Sequence, residues 1–222
     1  MKKRNGLGDA LNAANGIHLA KRQKTIKKPS NEKPQRIAFV HCVGSRDEKT
    51  NNFHCSKVCC ITAVKQAIEL RERYPDAEII CLYMDLRMYD NGFEELYREA
   101  QIKHNIHFIR GRLSETSFNI DRKLVVKIQD TLAGTPMRIT VDKLILMVGK
   151  EPSPLPCFGA EIYVDVASHG FILPADAHLG GNKTSQSGFF CCGTSWGPKT
   201  IRDTIADAQA AAIALLEYIN KK

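Results

Sequence analysis

Four of the eight cysteines in the 222-residue chain lie within 19 residues, in the order Cys42-x12-Cys55-x3-Cys59-Cys60. Thiolates are the usual ligands of iron–sulfur clusters, and a 4Fe–4S cluster ordinarily takes four of them. A zinc site also takes four cysteines, but commonly as two separated short-spaced pairs, which this pattern is not. A redox-active disulfide and unliganded thiols are the other interpretations. The spacing favours the cluster and leaves the other three open.

These cysteines sit between a predicted strand and a predicted helix. Residues 36–43 form an apolar run typical of a buried strand, and Lys57–Arg73 carries apolar residues at helical spacing. The last three cysteines of the set then fall in the loop and in the first turn of the helix. Cys55 and Cys59 are four residues apart and can share one helical face. The free N–H groups and positive potential of a helix N-terminus would stabilise an anionic cluster there.

The same position has a known use in nucleotide-binding folds. A nicotinamide-binding domain places a glycine-rich turn after its first strand, where the pyrophosphate meets the helix N-terminus. Residues 41–46 read His-Cys-Val-Gly-Ser-Arg here, with one glycine, and the chain contains no G-x-G-x-x-G. We therefore expect a metal site in place of the phosphate cradle, and no nicotinamide cofactor in this domain.

The elements around the site alternate between strand and helix, which is typical of parallel βαβ units. Ala133-Gly-Thr-Pro136 then separates two β-rich segments as a hairpin-like turn. The pattern predicts an α/β fold, with a degenerate Rossmann-like domain over 37–150 that carries a β-hairpin insertion. Its predicted strands are 36–43, 78–84, 106–109, 123–129, 137–141 and 144–148, and its predicted helices are 57–73 and 93–104.

A proline-rich linker at 151–156 predicts a domain boundary, followed by strands at 161–166 and 188–192 and a helix at 199–220. Gly193 would let a ligand approach the backbone where this helix begins. That corner is either a plain strand–helix connection or a site for the electron-rich edge of a flavin.

The remaining cysteines carry weaker signals. Cys81 is expected in the core, and of Cys191 and Cys192 one is expected in the core while the other could face a ligand. Cys157, in the linker, has no role that the pattern indicates.

The net charge of +8 resides entirely in residues 1–36, which hold ten Lys or Arg and two acids. Residues 37–222 hold 22 of each sign and lack the basic face of a nucleic-acid-binding domain. Residues 1–36 are therefore expected to form a basic tail or a partner-docking arm. We predict a cytoplasmic protein, because the chain shows neither a secretory signal nor an apolar run long enough to cross a bilayer.

Several motifs together resemble the heterodisulfide reductase A-subunit family over about residues 36–222. They are the segment 41–48, the cysteine spacing, Tyr83-Met-Asp-Leu-Arg87 and Gly193-Thr-Ser-Trp-Gly-Pro-Lys199. Members are flavin and iron–sulfur electron-transfer proteins with a thioredoxin-reductase-like core. The resemblance implies that Cys42, Cys55, Cys59 and Cys60 bind a 4Fe–4S cluster next to FAD. It also implies that Gly193, Thr194, Lys199 and Ile201 lie against the flavin, and that Lys65 approaches its isoalloxazine ring in a catalytic role.

Two features of the family are missing from this sequence. There is no first FAD-binding half with G-x-G-x-x-G, and there are no C-x2-C-x2-C-x3-C ferredoxin motifs. Residues 151–222 would then be the returning part of an FAD-binding domain, completed by a partner chain.

The expected function is an electron-transfer subunit of a cytoplasmic oxidoreductase complex that works with other iron–sulfur electron-transfer subunits and is not active alone. The alternative is a non-catalytic iron–sulfur redox sensor or scaffold.

Overall fold

The computed structural model describes residues 33–153, 163–176, 178 and 182–221. The expectations for residues 1–32, for Cys157 and for most of the proline-rich linker lie outside these ranges. The described chain forms two compact units. Unit 1 comprises residues 33–52 and 59–149, and unit 2 comprises residues 53–58 and 150–221. Within the described ranges, no helix combines the length and the apolarity that crossing a membrane requires.

Unit 1 is built on a six-stranded sheet in the order β5-β4-β3-β2-β1-β6. The four strands β3, β2, β1 and β6 are parallel, and β4 and β5 continue the sheet as an antiparallel hairpin. This is the predicted α/β architecture with its hairpin insertion. The elements are β1 (Arg36–Val43), α1 (Cys59–Arg73), β2 (Glu78–Tyr83), α2 (Phe93–Ile102), β3 (His107–Phe118), β4 (Leu124–Asp130), β5 (Thr135–Val141) and β6 (Lys143–Val148).

Strand β1 is buried on both faces, as its largely apolar sequence predicts. Ile37 and Phe39 point to one face and pack with the buried side of α1. Ala38 and Val40 point to the other face and pack with apolar residues of β2 to β5. The central strand of the sheet is thus held by two hydrophobic clusters.

The order of the strands creates a switch point beside β1. The chain leaves β1 toward β2 on one side, and much later β6 joins β1 on the other side, also in parallel. In open α/β sheets, ligands bind in the crevice outside the carboxyl ends of the strands at such a point. His41, Cys42 and Val43 form that carboxyl end of β1.

Helix α1 begins two residues later than predicted. Lys57 has a φ of +60°, which is left-handed and cannot continue an α-helix, and the first helical residue is Cys59. Cys55 therefore precedes the helix, and the expectation that Cys55 and Cys59 share a helical face is wrong. β3 is also much longer than its predicted four residues, because its second half pairs with the hairpin.

Unit 2 contains the helix α3 (Ile201–Asn220), preceded by a 3-10 turn over Gly193–Trp196. The Thr200 hydroxyl caps α3 by accepting a hydrogen bond from the Asp203 N–H. The predicted strand at 188–192 is wrong, and so is the part of the strand at 161–166 that the structure describes. Each segment makes only a single-residue bridge, at Phe190 and at Val166, because a strand needs a neighbour to supply a ladder of hydrogen bonds.

Candidate functional site

A β-bulge at the end of β1 orients the first cysteine of the set. Val40 and Val43 lie opposite Leu146 and Val148 of β6, so β1 contains one residue more than its partner over this stretch. Cys42 takes up the extra residue with a left-handed φ of +58° and is buried. Bulges commonly re-aim a side chain next to a functional site.

Cys59 and Cys60 are the first two residues of α1, and both are buried. A hydrogen bond with the Cys59 thiol, together with burial, raises the pKa of Cys60 to about 12. The His41 ring lies close enough to Cys60 to oppose this increase. Cys42 thus lies at the carboxyl end of the central strand, and Cys59 and Cys60 lie at the N-terminus of the helix that follows it.

Arg46 connects two of the motifs singled out in the sequence. Its Nη2 donates to Asp85 Oδ2 at 2.7 Å, and this bond raises the pKa of the guanidinium and lowers that of the carboxyl. Arg46 also faces the Cys42 sulfur, and the Asp85 carbonyl accepts a long hydrogen bond of 3.9 Å from the Cys60 thiol. The segment 83–87 thus positions a cation beside Cys42.

Cys55 belongs to unit 2 and is half-buried. Its sulfur accepts a hydrogen bond of 3.3 Å from the Lys57 N–H. In the same segment, the Ser56 hydroxyl accepts a 2.8 Å bond from the Lys150 N–H.

The residues of unit 1 fit an anionic sulfur-ligated group. Both ring nitrogens of His41 and Nη1 of Arg46 are buried without a hydrogen-bond partner in the described part of the chain. Native proteins rarely leave such atoms unpaired, so an acceptor is expected beside them. Thiolate and sulfide sulfur atoms of an iron–sulfur cluster accept hydrogen bonds of this kind.

Within the part of the chain that the structure describes, the cysteines do not form a site for a single metal ion. Among the described residues, no group of three or more His, Cys, Asp or Glu side chains is arranged to hold a metal ion. A 4Fe–4S cluster distributes its four cysteines over four iron atoms, so its ligands lie farther apart than those of one ion.

In unit 2, Asp207 of α3 organises the turn that the sequence associates with a flavin. Its Oδ2 accepts hydrogen bonds from the Gly193 N–H, the Trp196 indole at 2.9 Å and the Lys199 ammonium at 2.8 Å. Burial opposes the ionisation of Asp207, but these bonds and one from Asn182 outweigh it and lower its pKa. The Lys199 nitrogen also lies 3.4 Å from the centre of the Trp196 ring.

The residues predicted to lie near a flavin differ in their exposure to solvent. Gly193 is buried, with a φ of +63° that favours glycine, and Lys199 is largely buried in its ion pair with Asp207. Thr194 is exposed and Ile201 is 83% exposed. In unit 1, Lys65 is exposed on the side of α1 away from its buried residues.

Three residues near these sites were not picked out from the sequence. His41 and Arg46 lie within the motif 41–48, but only the structure shows that their nitrogens are buried. Asp207 is an acid in an alanine-rich helix, and that contrast is the one local signal of its role.

We expect Asp207→Asn to destabilise unit 2 by about 2–3 kcal/mol, because it removes the charge that pairs with Lys199 and weakens three hydrogen bonds. The lowered pKa means that the wild-type contribution is complete above about pH 4 and is lost as the pH falls through the folded-state value. Trp196 is the only tryptophan, so its fluorescence reports on this turn during denaturation.

Asp203→Asn is the matched control on the same helix. Its partner is Lys57 and its side chain is 35% exposed, so a loss of about 0–1 kcal/mol is expected. Equal losses for the two variants would contradict the role given to Asp207.

Solved structures with a similar fold include two thioredoxin reductases. The enzyme from T. acidophilum matches with a TM-score of 0.52 and 18% identity, over 84% of this chain and 52% of its own. The enzyme from Lactococcus lactis matches with a TM-score of 0.54 and 17% identity, over 85% and 54%. At these identities the likeness concerns the fold, and the predicted thioredoxin-reductase-like architecture is confirmed.

Curated relatives are closer in sequence, although no protein-family model matches the chain. The A subunit of the H(2):CoB-CoM heterodisulfide,ferredoxin reductase of Methanothermobacter marburgensis is 37% identical in an alignment 220 residues long, which covers 93% of this chain and 33% of the relative. A second relative, from Methanopyrus kandleri, is one of its iron-sulfur A subunits of CoB--CoM heterodisulfide reductase. It is 38% identical in an alignment 195 residues long, which covers 85% of this chain and 29% of the relative.

This chain spans about a third of the length of the curated relatives that it matches. The names of these relatives agree with the resemblance that the motifs predict. The chain is therefore similar in sequence to about a third of the A subunit of heterodisulfide reductase.

Proposed function

We propose that the chain is an electron-transfer subunit of a cytoplasmic oxidoreductase complex. In this proposal Cys42, Cys55, Cys59 and Cys60 hold a 4Fe–4S cluster, and a partner chain completes an FAD site with unit 2. A flavin couples two-electron to one-electron chemistry, and a cluster carries one electron at a time. The observation that carries the proposal is the set of buried thiols at the switch point of the sheet, beside nitrogens that lack an acceptor.

The residues of unit 1 suit the electrostatics of such a group. The free N–H groups at the start of α1 and the guanidinium of Arg46 place positive potential near Cys42, Cys59 and Cys60. Positive charge and hydrogen-bond donors offset the negative charge of four thiolates and their cluster. Lys65 is proposed to approach the isoalloxazine ring and to stabilise the reduced, anionic flavin.

The residues of unit 2 suit one side of a flavin site. Asp207 holds Gly193 and Lys199 in a fixed turn, and Thr194 and Ile201 remain exposed beside it. Because Lys199 is paired with Asp207, the negative carboxylate offsets the positive charge that Lys199 would present to a flavin. We propose that the turn contributes mainly backbone N–H groups and apolar contact to the flavin.

A partner chain is supported by an apolar stripe along α3. Residues at helical spacing form one line that is exposed to solvent, with the small residues Ala208 and Ala212 between the larger ones. The larger residues are Ile201, Ile205, Leu215, Leu216 and Ile219, between 41% and 83% exposed. Contiguous apolar surface of this kind marks an interaction site. The segments at Val166 and Phe190 each make only a single-residue bridge within the described part of unit 2.

The experiment for this proposal is anaerobic purification of the tagged full chain from its own organism together with the proteins that bind to it. We expect FAD in fractions that contain a second chain and none in fractions of this chain alone. Reduction of the flavin should then bleach the absorbance of the cluster within the complex. FAD bound stoichiometrically by the isolated chain would contradict the shared site, and a complex without flavin would favour the sensor or scaffold alternative.

We expect the double variant Ile205→Lys, Leu216→Lys to lose at least about tenfold in affinity for the second chain. The reason is that both substitutions place a charge where the proposed interface buries an apolar side chain. Both positions are exposed in the isolated chain, so its fold and its iron content should not change. Size-exclusion chromatography of the mixture measures the association. Glu217→Lys is the matched control, since it introduces a lysine on the same helix outside the stripe. Equal binding by the double variant and the control would remove the stripe from the interface.

A further inference from the structure

His41 is a buried histidine without the hydrogen bonds that buried histidines normally make. It is 5% exposed, and neither ring nitrogen has a hydrogen-bond partner in the described part of the chain. A neutral imidazole carries one N–H donor and one acceptor, and leaving such a buried group unsatisfied costs about 1–3 kcal/mol. The ring therefore has room for a stronger hydrogen-bond acceptor than the Cys60 thiol beside it.

The position of His41 on β1 shows where that partner lies. Side chains alternate along a strand, so His41 shares the face of Ile37 and Phe39, against which α1 packs. Its ring faces Cys60 at the start of α1 closely enough to change the pKa of that thiol. Its chain neighbour is Cys42, at the bulge.

A second unsatisfied donor approaches the same thiols from the loop after β1. Arg46 is fixed by Asp85 through Nη2, and its Nη1 is buried without a hydrogen-bond partner in the described ranges. The guanidinium faces Cys42, whereas His41 faces Cys60. Donors on two different chain segments thus converge on the sulfur atoms of one set of cysteines.

We propose that His41 and Arg46 donate hydrogen bonds to the sulfur atoms of the cluster held by the cysteine set and thereby set its reduction potential. This inference rests on the proposed function, because it requires the cluster. A reduced cluster carries one more negative charge than an oxidised one, so donors to its sulfur atoms stabilise the reduced form more and raise the potential. In this role neither residue ligates iron, and each acts on the potential through its hydrogen bond to sulfur.

The test compares His41→Leu, His41→Gln and the wild-type full chain, all purified anaerobically. Iron and sulfide analysis first establishes the cluster content. A dye-mediated redox titration, followed by electron paramagnetic resonance of the reduced cluster, then gives the potential. Removal of one charge-sensitive donor is expected to change the ratio of oxidised to reduced cluster about tenfold, which is about 59 mV for a one-electron couple. We expect that shift, toward lower potential, in His41→Leu, and substantial recovery in His41→Gln, which keeps an N–H donor.

Arg46→Met provides the independent arm and should lower the potential in the same direction. If His41→Leu loses its iron, the potential of Arg46→Met still tests the inference. Unchanged potentials in His41→Leu and Arg46→Met, with the iron content retained, would overturn this inference and leave the proposed function intact. Absence of iron and sulfide from the wild-type protein would overturn both, so the two failures are distinguishable.

Discussion

Replacing Cys59 by Ser is expected to reduce the iron content of the anaerobically purified protein from about four atoms per chain to less than one. Cys59 is buried at the first position of α1, beside Cys60. A serine hydroxyl remains protonated at neutral pH and is a poor ligand for iron, so three cysteines would have to retain the cluster. Iron and acid-labile sulfide analysis measures the loss, and circular dichroism shows whether the fold persists.

Cys192→Ser is the control for the chemistry of the substitution. Cys192 is exposed in unit 2 and lies outside the four-cysteine set, so its replacement should leave iron and sulfide unchanged. Retention of the full iron content by Cys59→Ser would contradict the assignment of Cys59 as a ligand.

Phe39→Ala is expected to have the largest effect on stability, about 3–5 kcal/mol on the free energy of unfolding of unit 1. Phe39 is fully buried in the central strand, between Cys81 of β2 and Ile145 of β6. Its removal leaves a cavity under α1 next to the strand residues that position His41 and Cys42. Because domains are stable by only about 5–15 kcal/mol, much of the margin would be lost. Denaturant unfolding followed by circular dichroism measures the change.

The matched control is Phe118→Ala. Phe118 is 64% exposed at the end of β3, so its truncation should change the stability by less than about 0.5 kcal/mol. A similar loss at both positions would mean that the core of unit 1 is not organised around β1.

The alternation of strand and helix in unit 1 could be predicted because each element carries its own pattern. β1 is largely apolar, and β4 and β5 flank a turn that contains Gly134 and Pro136. Both features are visible in a short stretch of sequence. The predicted strand at 188–192 has a similar run, but in the described part of unit 2 it makes only a single-residue bridge, at Phe190. Strand formation requires a partner, and apolar composition alone does not reveal whether one exists.

The details of the candidate site depend on contacts between distant residues. The sequence spacing identified the four cysteines, but the bulge at Cys42 follows from the register between β1 and β6, about a hundred residues apart. The bond between Arg46 and Asp85 spans 39 residues. Asp207 reaches back 14 residues to the N–H of Gly193. Local periodicity contains no information about such pairs.

The most direct test of the cluster assignment is the metal and sulfide content of the wild-type full chain purified under argon. Four cysteines that ligate a 4Fe–4S cluster predict about four iron atoms and about four acid-labile sulfides per chain. One zinc ion per chain without sulfide would contradict the assignment, and so would a protein that contains neither metal nor sulfide.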